Sequence, residues 1–441
     1  MKNKIILLFI LLFYGCSFDN KSGIWKNENS ITEDTTDSFR EFKRLAITSY
    51  SFNKIINPKK NLTLKTPPLV DVKEWNDIFY SNTNNLQNFK YLNLNKKNFR
   101  SKKISRKKIN KFILSENNNI IFSDLRGNIF IFSLNEKKLI NKFNFYKNRF
   151  KNIEKKLNLI VNDGVIFVSD NIGFLYAFDY KKNKIIWAKN YKIPFRSNLK
   201  IFQDKLLASN QNNNLYFFNK YSGDISKLIP TEETSVKNRF INNLSLSNNY
   251  LLFLNTYGSL YAVNKKSMEI NWFVNLNQSL DINPSNLFLG NQIVNNNKKI
   301  VVSSDQFTFV IEAKTGTILF KKNFSSIVKP IIMNDYFFSI SKKKFLIATN
   351  IISGDILFSL DINEEIASFL KIKKKDVQIK SMMIANNKIF IFLENSFLLK
   401  FELNGKLKDI KKLPYKINTF PIIIDGSIIF FDIKNRLSIV N

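Results

Sequence analysis

The strongest structural signal in the chain lies at Val165–Trp187, which reads VIFVSDNIGFLYAFDYKKNKIIW. Its first part holds two alternating apolar segments separated by a short turn that contains Gly173, a pattern typical of a β-hairpin. A polar turn then leads to Lys184–Trp187, which predicts a third antiparallel strand. The same order returns at Tyr250–Phe273. The sequence therefore contains at least two copies of one antiparallel unit.

The apolar position at the centre of this unit, which we call the anchor, recurs along the chain. In the two clearest copies a Trp follows the anchor Leu by twelve positions, as Leu175 with Trp187 and Leu260 with Trp272. Eight anchors lie 38 to 52 residues apart: Ile129, Leu175, Leu215, Leu260, Thr308, Leu346, Leu398 and Leu437. Repeats of this length with about four strands each predict an all-β, eight-bladed β-propeller of four-stranded antiparallel blades. A β-sandwich with regular hairpins is the alternative.

The last repeat ends at Asn441, directly after its third strand, so its fourth strand must come from elsewhere. We expect the segment before the first repeat, around Phe89–Leu94 with Trp75 nearby, to supply that strand. Such an exchange closes the ring without a covalent bond. The predicted propeller then spans residues 67–441, with repeats from about 118 to 441.

The N-terminus resembles a bacterial lipoprotein signal. Lys2 and Lys4 precede an apolar run that ends at Tyr14 and is followed by Gly15 and Cys16. The run is about half the length that a membrane-spanning helix needs. We expect a signal peptide at residues 1–15, lipidation of Cys16, and a flexible tether over residues 16–66. An ordinary secretory signal or an uncleaved anchor with an incidental cysteine is the alternative.

The composition excludes several kinds of catalytic site. The chain has no His and one Cys, so it can form neither a His-based catalytic triad nor an intrachain disulfide. The net charge of +33, from 68 Lys and Arg against 35 Asp and Glu, would suit a nucleic-acid binder. An export signal argues against nucleic acid as a partner, and the excess follows a general abundance of Lys.

The repeat resembles that of the pyrroloquinoline-quinone-type propellers, in which Gly-x-Leu-Tyr-Ala is followed by a turn and a Trp. The resemblance is clearest at Gly173–Trp187 and Gly258–Trp272, and the turn glycines Gly316 and Gly354 belong to partial copies. It covers about three-quarters of the chain. It implies that Trp187 and Trp272 pack between neighbouring blades.

Two branches of that family imply different functions. Quinone-dependent dehydrogenases bind a quinone and Ca²⁺ on the propeller axis, often beside a Cys pair that this chain lacks. The BamB-like branch, the lipoproteins of outer-membrane β-barrel assembly, combines a lipoprotein signal, a short tether and eight repeats, and carries no cofactor. This chain is similar to the second branch in all three respects.

Two basic stretches could contact a partner. Lys90–Lys111 holds ten basic residues and no acidic one. A second cluster, Lys371, Lys373, Lys374 and Lys375, lies in the longest interval between anchors. Each is a candidate for contact with a partner protein or anionic lipid. Each is equally a solvated loop in a Lys-rich protein.

These observations predict a non-enzymatic scaffold on the periplasmic face of the outer membrane, attached through a lipid anchor. The expected partners are the periplasmic part of the barrel-inserting subunit and, as a second candidate, unfolded outer-membrane proteins. No catalytic, cofactor-binding or metal-binding residue can be named. The alternatives are a quinone-dependent periplasmic dehydrogenase and a solitary periplasmic propeller that binds a ligand.

Overall fold

The computed structural model describes residues 52–441 apart from 147–149, 234–240, 278–289 and 291, together with two short strands nearer the N-terminus. The chain divides into two compact units, Met1–Tyr50 and Ser51–Asn441. In the first unit Cys16–Phe18 pairs antiparallel with Trp25–Asn27. The predicted signal peptide and most of the predicted tether lie outside the described residues.

The second unit is an eight-bladed β-propeller, which confirms the predicted fold class. Each blade is an antiparallel sheet whose strands are numbered here from the axis outward. Blades 1 to 4 consist of Leu114–Glu116, Asn119–Ser123, Asn128–Ser133 and Lys138–Asn144; Asn158–Asn162, Val165–Ser169, Phe174–Asp179 and Lys184–Asn190; Lys200–Phe202, Lys205–Ser209, Leu215–Asn219 and Ile225–Ile229; and Asn243–Leu246, Tyr250–Leu254, Ser259–Asn264 and Ile270–Asn275.

Blades 5 to 8 follow in the same order along the chain. They consist of Val294–Asn295, Lys299–Ser303, Thr308–Glu312 and Ile318–Lys322; Ile331–Met333, Tyr336–Ile340, Phe345–Asn350 and Ile356–Asp361; Ile379–Ala385, Lys388–Leu393, Phe397–Glu402 and Leu407–Lys412; and Ile422–Ile424, Ser427–Phe431, Leu437–Val440 and Lys97–Arg100. One helix, α1 (Ile362–Leu370), lies between blades 6 and 7. No described helix has the length and apolar character needed to cross a membrane.

Burial separates the inner strands of a blade from the outer one. In blade 4 the second strand is buried from Leu251 to Leu254, whereas the fourth strand, Ile270–Asn275, alternates between exposed and half-buried residues. A blade is covered on both faces by its neighbours, so its inner strands are continuous apolar runs. The fourth strand meets solvent at the rim and keeps the period of two that a half-buried strand requires.

Every blade contains a register shift at the same place. In blade 2 the pairing of the third with the fourth strand shifts between Ala177 and Phe178, two and three positions after the anchor. The other blades shift at the equivalent step after their own anchors. A β-bulge increases the local twist of a sheet. The repeated bulge therefore gives each blade the same twist at its outer strand.

The strand that closes the ring differs from the one expected. Lys97–Arg100, rather than the segment around Phe89–Leu94, pairs antiparallel with Leu437–Val440, with Phe99 opposite Ile439. Asn88–Phe89 instead adds a short parallel pairing to the first strand of blade 7. Phe89 is fully buried, and the fourth strand of a blade lies at the exposed rim. The apolar side chain of Phe89 therefore lies near the axis and not at the rim.

The compact unit that contains the propeller spans Ser51–Asn441, and residues before 67 contact the blades. Ile56 exchanges two backbone hydrogen bonds of 2.9 Å with Ser359, in the fourth strand of blade 6. The Phe52 N–H donates to the carbonyl of Asn323, and the Tyr336 hydroxyl donates to the carbonyl of Lys65. The last part of the expected tether thus lies against blades 5 and 6.

Candidate binding sites on the axis and the blade surface

The segment Val70–Leu92, which we call the axial segment, runs around the propeller axis and contacts the blades in ring order. Its backbone or side chains form hydrogen bonds first with blade 8, then with blades 1 to 7, and finally with blade 8 again. The contacts are Val72 with Asp425, Trp75 with Ser115, Asn76 with Val161, Asp77 with Lys200, Asn82 with Leu246, Thr83 with Asn295, Asn85 with Ile332, Asn88 with Asn387, and Leu92 with Gly426. About twenty residues therefore complete one turn inside the ring.

Amide side chains account for much of this docking. The Asn84 Nδ2 donates to the carbonyls of Leu244 and Ile293, each at 2.9 Å, and so joins the first strands of blades 4 and 5. Asn85 donates to and accepts from the backbone of Ile332. An asparagine offers both donors and acceptors to backbone groups. The Asn-rich run Ser81–Asn88 is thus suited to satisfy strand edges that face the axis.

A buried ion pair fixes one side of the axial segment. The Lys200 Nζ lies 2.6 Å from Asp77 Oδ2 and 2.8 Å from the carbonyl of Ser81. Burial lowers the pKa of Lys200, and the Asp77 carboxylate offsets part of that effect. The pKa of Lys329 is lowered to about 7, chiefly by burial and then by repulsion from Lys200. The Lys329 Nζ donates to the carbonyl of Phe79 at 3.2 Å.

A small cavity of about 160 Å³ remains on the axis beside this segment. Trp75, Phe79 and Met383 are among its mainly apolar walls, and Lys329 and Lys380 are the charged groups that line it. None of its described lining residues is a carboxylate. Across the described residues, no group of three or more Asp, Glu, His or Cys side chains could hold a metal ion. The described walls of this cavity therefore do not fit a quinone–Ca²⁺ pair.

The repeat residues predicted from the sequence lie in the blade cores and at blade junctions. Leu175 and Leu260 are fully buried, and Gly173 and Gly258 adopt φ values of +107° and +96° in their turns. The Trp187 Nε1 of blade 2 donates to the carbonyl of Lys220 in blade 3 at 2.9 Å. Trp272 makes the same kind of bond to Ala313 in blade 5.

The turn glycines lie under these aromatic rings. A Cβ atom added to Gly316 would lie 2.5 Å from the Trp272 ring, and one added to Gly223 would lie 2.5 Å from Trp187. Gly354 has Phe320 in the place of the Trp, at 3.1 Å. The turn glycine and the outer-strand aromatic residue thus form one contact that joins successive blades.

The second basic cluster follows α1. Lys371 ends the helix in a left-handed conformation, with φ 53° and ψ 47°. The Lys374 Nζ binds Asp361, the N-cap residue, at 2.6 Å. Lys371, Lys373 and Lys375 are exposed, and within the described residues they form no ion pair. The helix end also exposes Phe369, Leu370 and Ile372. Of the four predicted contact lysines, Lys374 therefore has a structural role, and the other three are exposed side chains without an ion pair. These three lie near the apolar tip formed by Phe369, Leu370 and Ile372.

The rim of the propeller offers further surfaces. Within the part of the chain that the structure describes, the fourth strands of blades 1 to 4 pair with no further strand, and that of blade 5 ends beside the Phe52 contact described above. Several of their apolar side chains are exposed, namely Leu139, Ile140, Ile186, Ile225, Leu228, Ile270, Phe273 and Leu319. The sequence reasoning identified neither the axial segment nor this set. The Asn-rich run Ser81–Asn88 was the sequence feature that could have indicated the axial segment.

The repeat, the blade architecture and the Trp–Gly junctions define a propeller of the pyrroloquinoline-quinone-like class. Residues 153–359 match the family described as outer membrane protein assembly factor BamB. No curated protein sequence matches the chain.

Solved structures share the fold at low sequence identity. BamB from Moraxella catarrhalis has a TM-score of 0.61 and 12% identity, over 78% of this chain and 99% of that one. Quinohemoprotein alcohol dehydrogenase from Comamonas testosteroni has a TM-score of 0.61 and 9% identity, over 83% and 80%. The computationally designed Ika8 protein has a TM-score of 0.58 and 10% identity, over 77% and 98%. These likenesses show the fold alone.

Proposed function

We propose that the chain is a non-catalytic scaffold lipoprotein of outer-membrane β-barrel assembly, held at the periplasmic face of the outer membrane. The observation that carries the proposal is the axial segment. The space where a propeller of this class could hold a cofactor is lined by the chain's own backbone and amides, which bind all eight blades. The family match over residues 153–359 supports the same function.

Binding would then use the outer surfaces of the propeller. Ile56 pairs with the fourth strand of blade 6 through two backbone hydrogen bonds, so an extended segment can add to an outer edge of this ring. The fourth strands of blades 1 to 4 would offer the same groups to unfolded outer-membrane proteins by β-augmentation. The exposed tip formed by Phe369, Leu370 and Ile372 offers a separate contact to the barrel-inserting subunit.

Co-purification from membranes in mild detergent tests the scaffold role. We expect the tagged full chain to recover an outer-membrane barrel protein with a periplasmic part. The variant Lys371→Glu/Lys373→Glu/Lys375→Glu should recover less of it if the tip is the contact. The matched variant Lys181→Glu/Lys182→Glu/Lys184→Glu changes three exposed lysines on blade 2 and should behave as the unchanged chain. Recovery of the tagged protein alone would contradict the scaffold role.

Two further measurements separate the proposal from its alternatives. The Cys16→Ser variant should leave the membrane fraction, and unchanged fractionation would contradict lipid anchoring. An absorbance spectrum after addition of pyrroloquinoline quinone and Ca²⁺ should show no bound cofactor. A stoichiometric bound quinone would instead favour the dehydrogenase function.

A further inference from the structure

The first basic stretch, Lys90–Lys111, contributes to a pocket that the scaffold function does not use. After Lys97–Arg100 completes blade 8, the chain passes to blade 1 and places Ser105, Arg106 and Lys107 against that blade. There they border a cavity of about 280 Å³ together with Asp124, Arg126 and Lys142. We call this cavity the seam pocket, because it lies where the last blade meets the first.

The carboxylate in the seam pocket, Asp124, already accepts hydrogen bonds from the protein itself. Asp124 is 1% exposed, and its Oδ1 accepts from the backbone N–H groups of Arg126 and Asn128 at 2.9 and 3.1 Å. Its Oδ2 accepts from the Ser105 hydroxyl at 2.7 Å and from the Asn128 amide at 2.9 Å. These donors satisfy the carboxylate from the protein side. Its oxygens are therefore engaged by neutral donors of the protein, and it forms no ion pair with the basic residues that line the pocket.

The four basic residues that line the seam pocket differ from the neighbouring Arg100 in having no carboxylate partner among the described residues. Arg100 binds Asp432 through Nε at 3.0 Å and through a second guanidinium nitrogen, and its guanidinium lies over the Tyr415 ring. By contrast, no described carboxylate lies within ion-pair distance of Arg106, Lys107, Arg126 or Lys142. The Lys142 Nζ lies 5.8 Å from the centre of the Phe130 ring. Four positive charges and one carboxylate thus border one cavity, which leaves a net positive charge, and none of the four cations forms an ion pair with a described residue.

We propose that the seam pocket binds a phosphate-bearing anion. Two guanidinium groups and two ammonium groups suit a ligand with several charged oxygens, because an arginine can donate two parallel hydrogen bonds to a phosphate. A pocket of about 280 Å³ accommodates a phosphoryl group with its nearest substituent. The ligand is either a free phosphate compound or the phosphorylated headgroup of an anionic lipid. The inference holds independently of the role in barrel assembly.

The test compares two variants of the full chain that remove the same charge. Arg106→Gln/Lys107→Gln/Arg126→Gln/Lys142→Gln removes the four pocket cations. Lys102→Gln/Lys103→Gln/Lys108→Gln/Lys111→Gln removes four exposed cations of the same stretch that do not line the pocket. Binding of sodium pyrophosphate is measured by calorimetry. Binding to phosphatidylglycerol vesicles is measured by sedimentation, with phosphatidylcholine vesicles as the reference.

We expect the pocket variant to lose at least about tenfold in affinity and the matched variant to stay within about twofold of the unchanged chain. Selective loss of pyrophosphate binding means that the phosphate group alone suffices. Selective loss of vesicle binding alone identifies a lipid headgroup as the source. Equal loss in both variants, which is the signature of general charge attraction, would overturn the proposal. Absence of binding to either probe by the unchanged chain would also overturn it.

Discussion

At the scale of single residues, the junction between blades depends on the pair formed by an outer-strand aromatic residue and a turn glycine. Trp187 lies over Gly223, whose φ of +77° belongs to the left-handed region, and its indole donates to the carbonyl of Lys220. Two constraints therefore meet at Gly223: the backbone angle favours glycine, and the ring leaves no room for a Cβ. The contact exists only when the two blades are correctly docked.

The substitution Gly223→Ala should lower the free energy of unfolding by about 2–4 kcal/mol, because it adds overpacking to backbone strain. Gly164→Ala is the matched control, since its φ is +81° but its new Cβ would meet only the flexible end of Lys181. The control should cost about 1–2 kcal/mol. Denaturant unfolding of both variants measures the difference. Equal losses would mean that the Trp187 contact contributes nothing at this junction.

At the scale of elements, the axial segment connects blades that do not touch each other. A ring of separate sheets would otherwise lack such contacts. Each blade packs on its two neighbours, whereas this segment binds all eight. Its backbone groups and amide donors bind the first strands, whose edges would otherwise face the axis unpaired. A buried backbone group without a partner costs about as much as a lost hydrogen bond. The segment therefore stabilises the ring by completing its inner edges.

Asn84→Gly tests this role. Asn84 has a φ of +60°, which glycine adopts without strain, so the substitution removes the amide and leaves the backbone geometry accessible. The carbonyl of Ile293 loses the Asn84 amide, and that of Leu244 keeps only its bond from the Asn198 amide, so we expect a loss of about 2–3 kcal/mol in the free energy of unfolding. Asn141→Gly, in the outer strand of blade 1, removes one solvent-exposed amide bond to Asn183 and should cost no more than about 1 kcal/mol. Thermal or denaturant unfolding measures both variants, and a loss at Asn84 no larger than that at Asn141 would contradict the role.

At the scale of the whole molecule, closure depends on a few residues that are far apart in sequence. Phe99 lies opposite Ile439 in blade 8, and Arg100 of the same strand binds Asp432. Asp432 is 1% exposed on its side chain, so this ion pair is largely removed from solvent. The ring therefore opens or closes at one antiparallel pairing between the two ends of the propeller.

A disulfide placed at this pairing should stabilise the ring. In Phe99→Cys/Ile439→Cys, with Cys16→Ser to avoid mispairing, oxidation would close a loop of several hundred residues and raise the free energy of unfolding by about 3–5 kcal/mol. The melting temperature of the oxidised form is compared with that of the reduced form of the same variant. An oxidised form that melts no higher than the reduced one would contradict closure at this pairing.

Much of this architecture was predictable from local patterns, and the remainder depends on contacts between distant residues. The anchors from Ile129 to Leu437 indicated eight blades because strand alternation and turn residues are local properties. The closing strand was misplaced because Phe89–Leu94 has the more apolar sequence, whereas Lys97–Arg100 lies at the exposed rim. The axial role of Asn84 depends on carbonyls more than a hundred residues away. A repeating pattern in the local sequence cannot predict such a contact.

The axial segment also constrains the order in which this protein can fold. Its residues are synthesised before every blade, yet its partners extend to Gly426, and the closing strand awaits Val440. Nearly the whole chain must therefore be synthesised before the N-terminal part can form its final bonds. Loops of this length make folding slow, because their closure entropy must be overcome before the contacts form. During that interval the unpaired segment needs protection from aggregation, so we expect the chain to depend on chaperones while it folds.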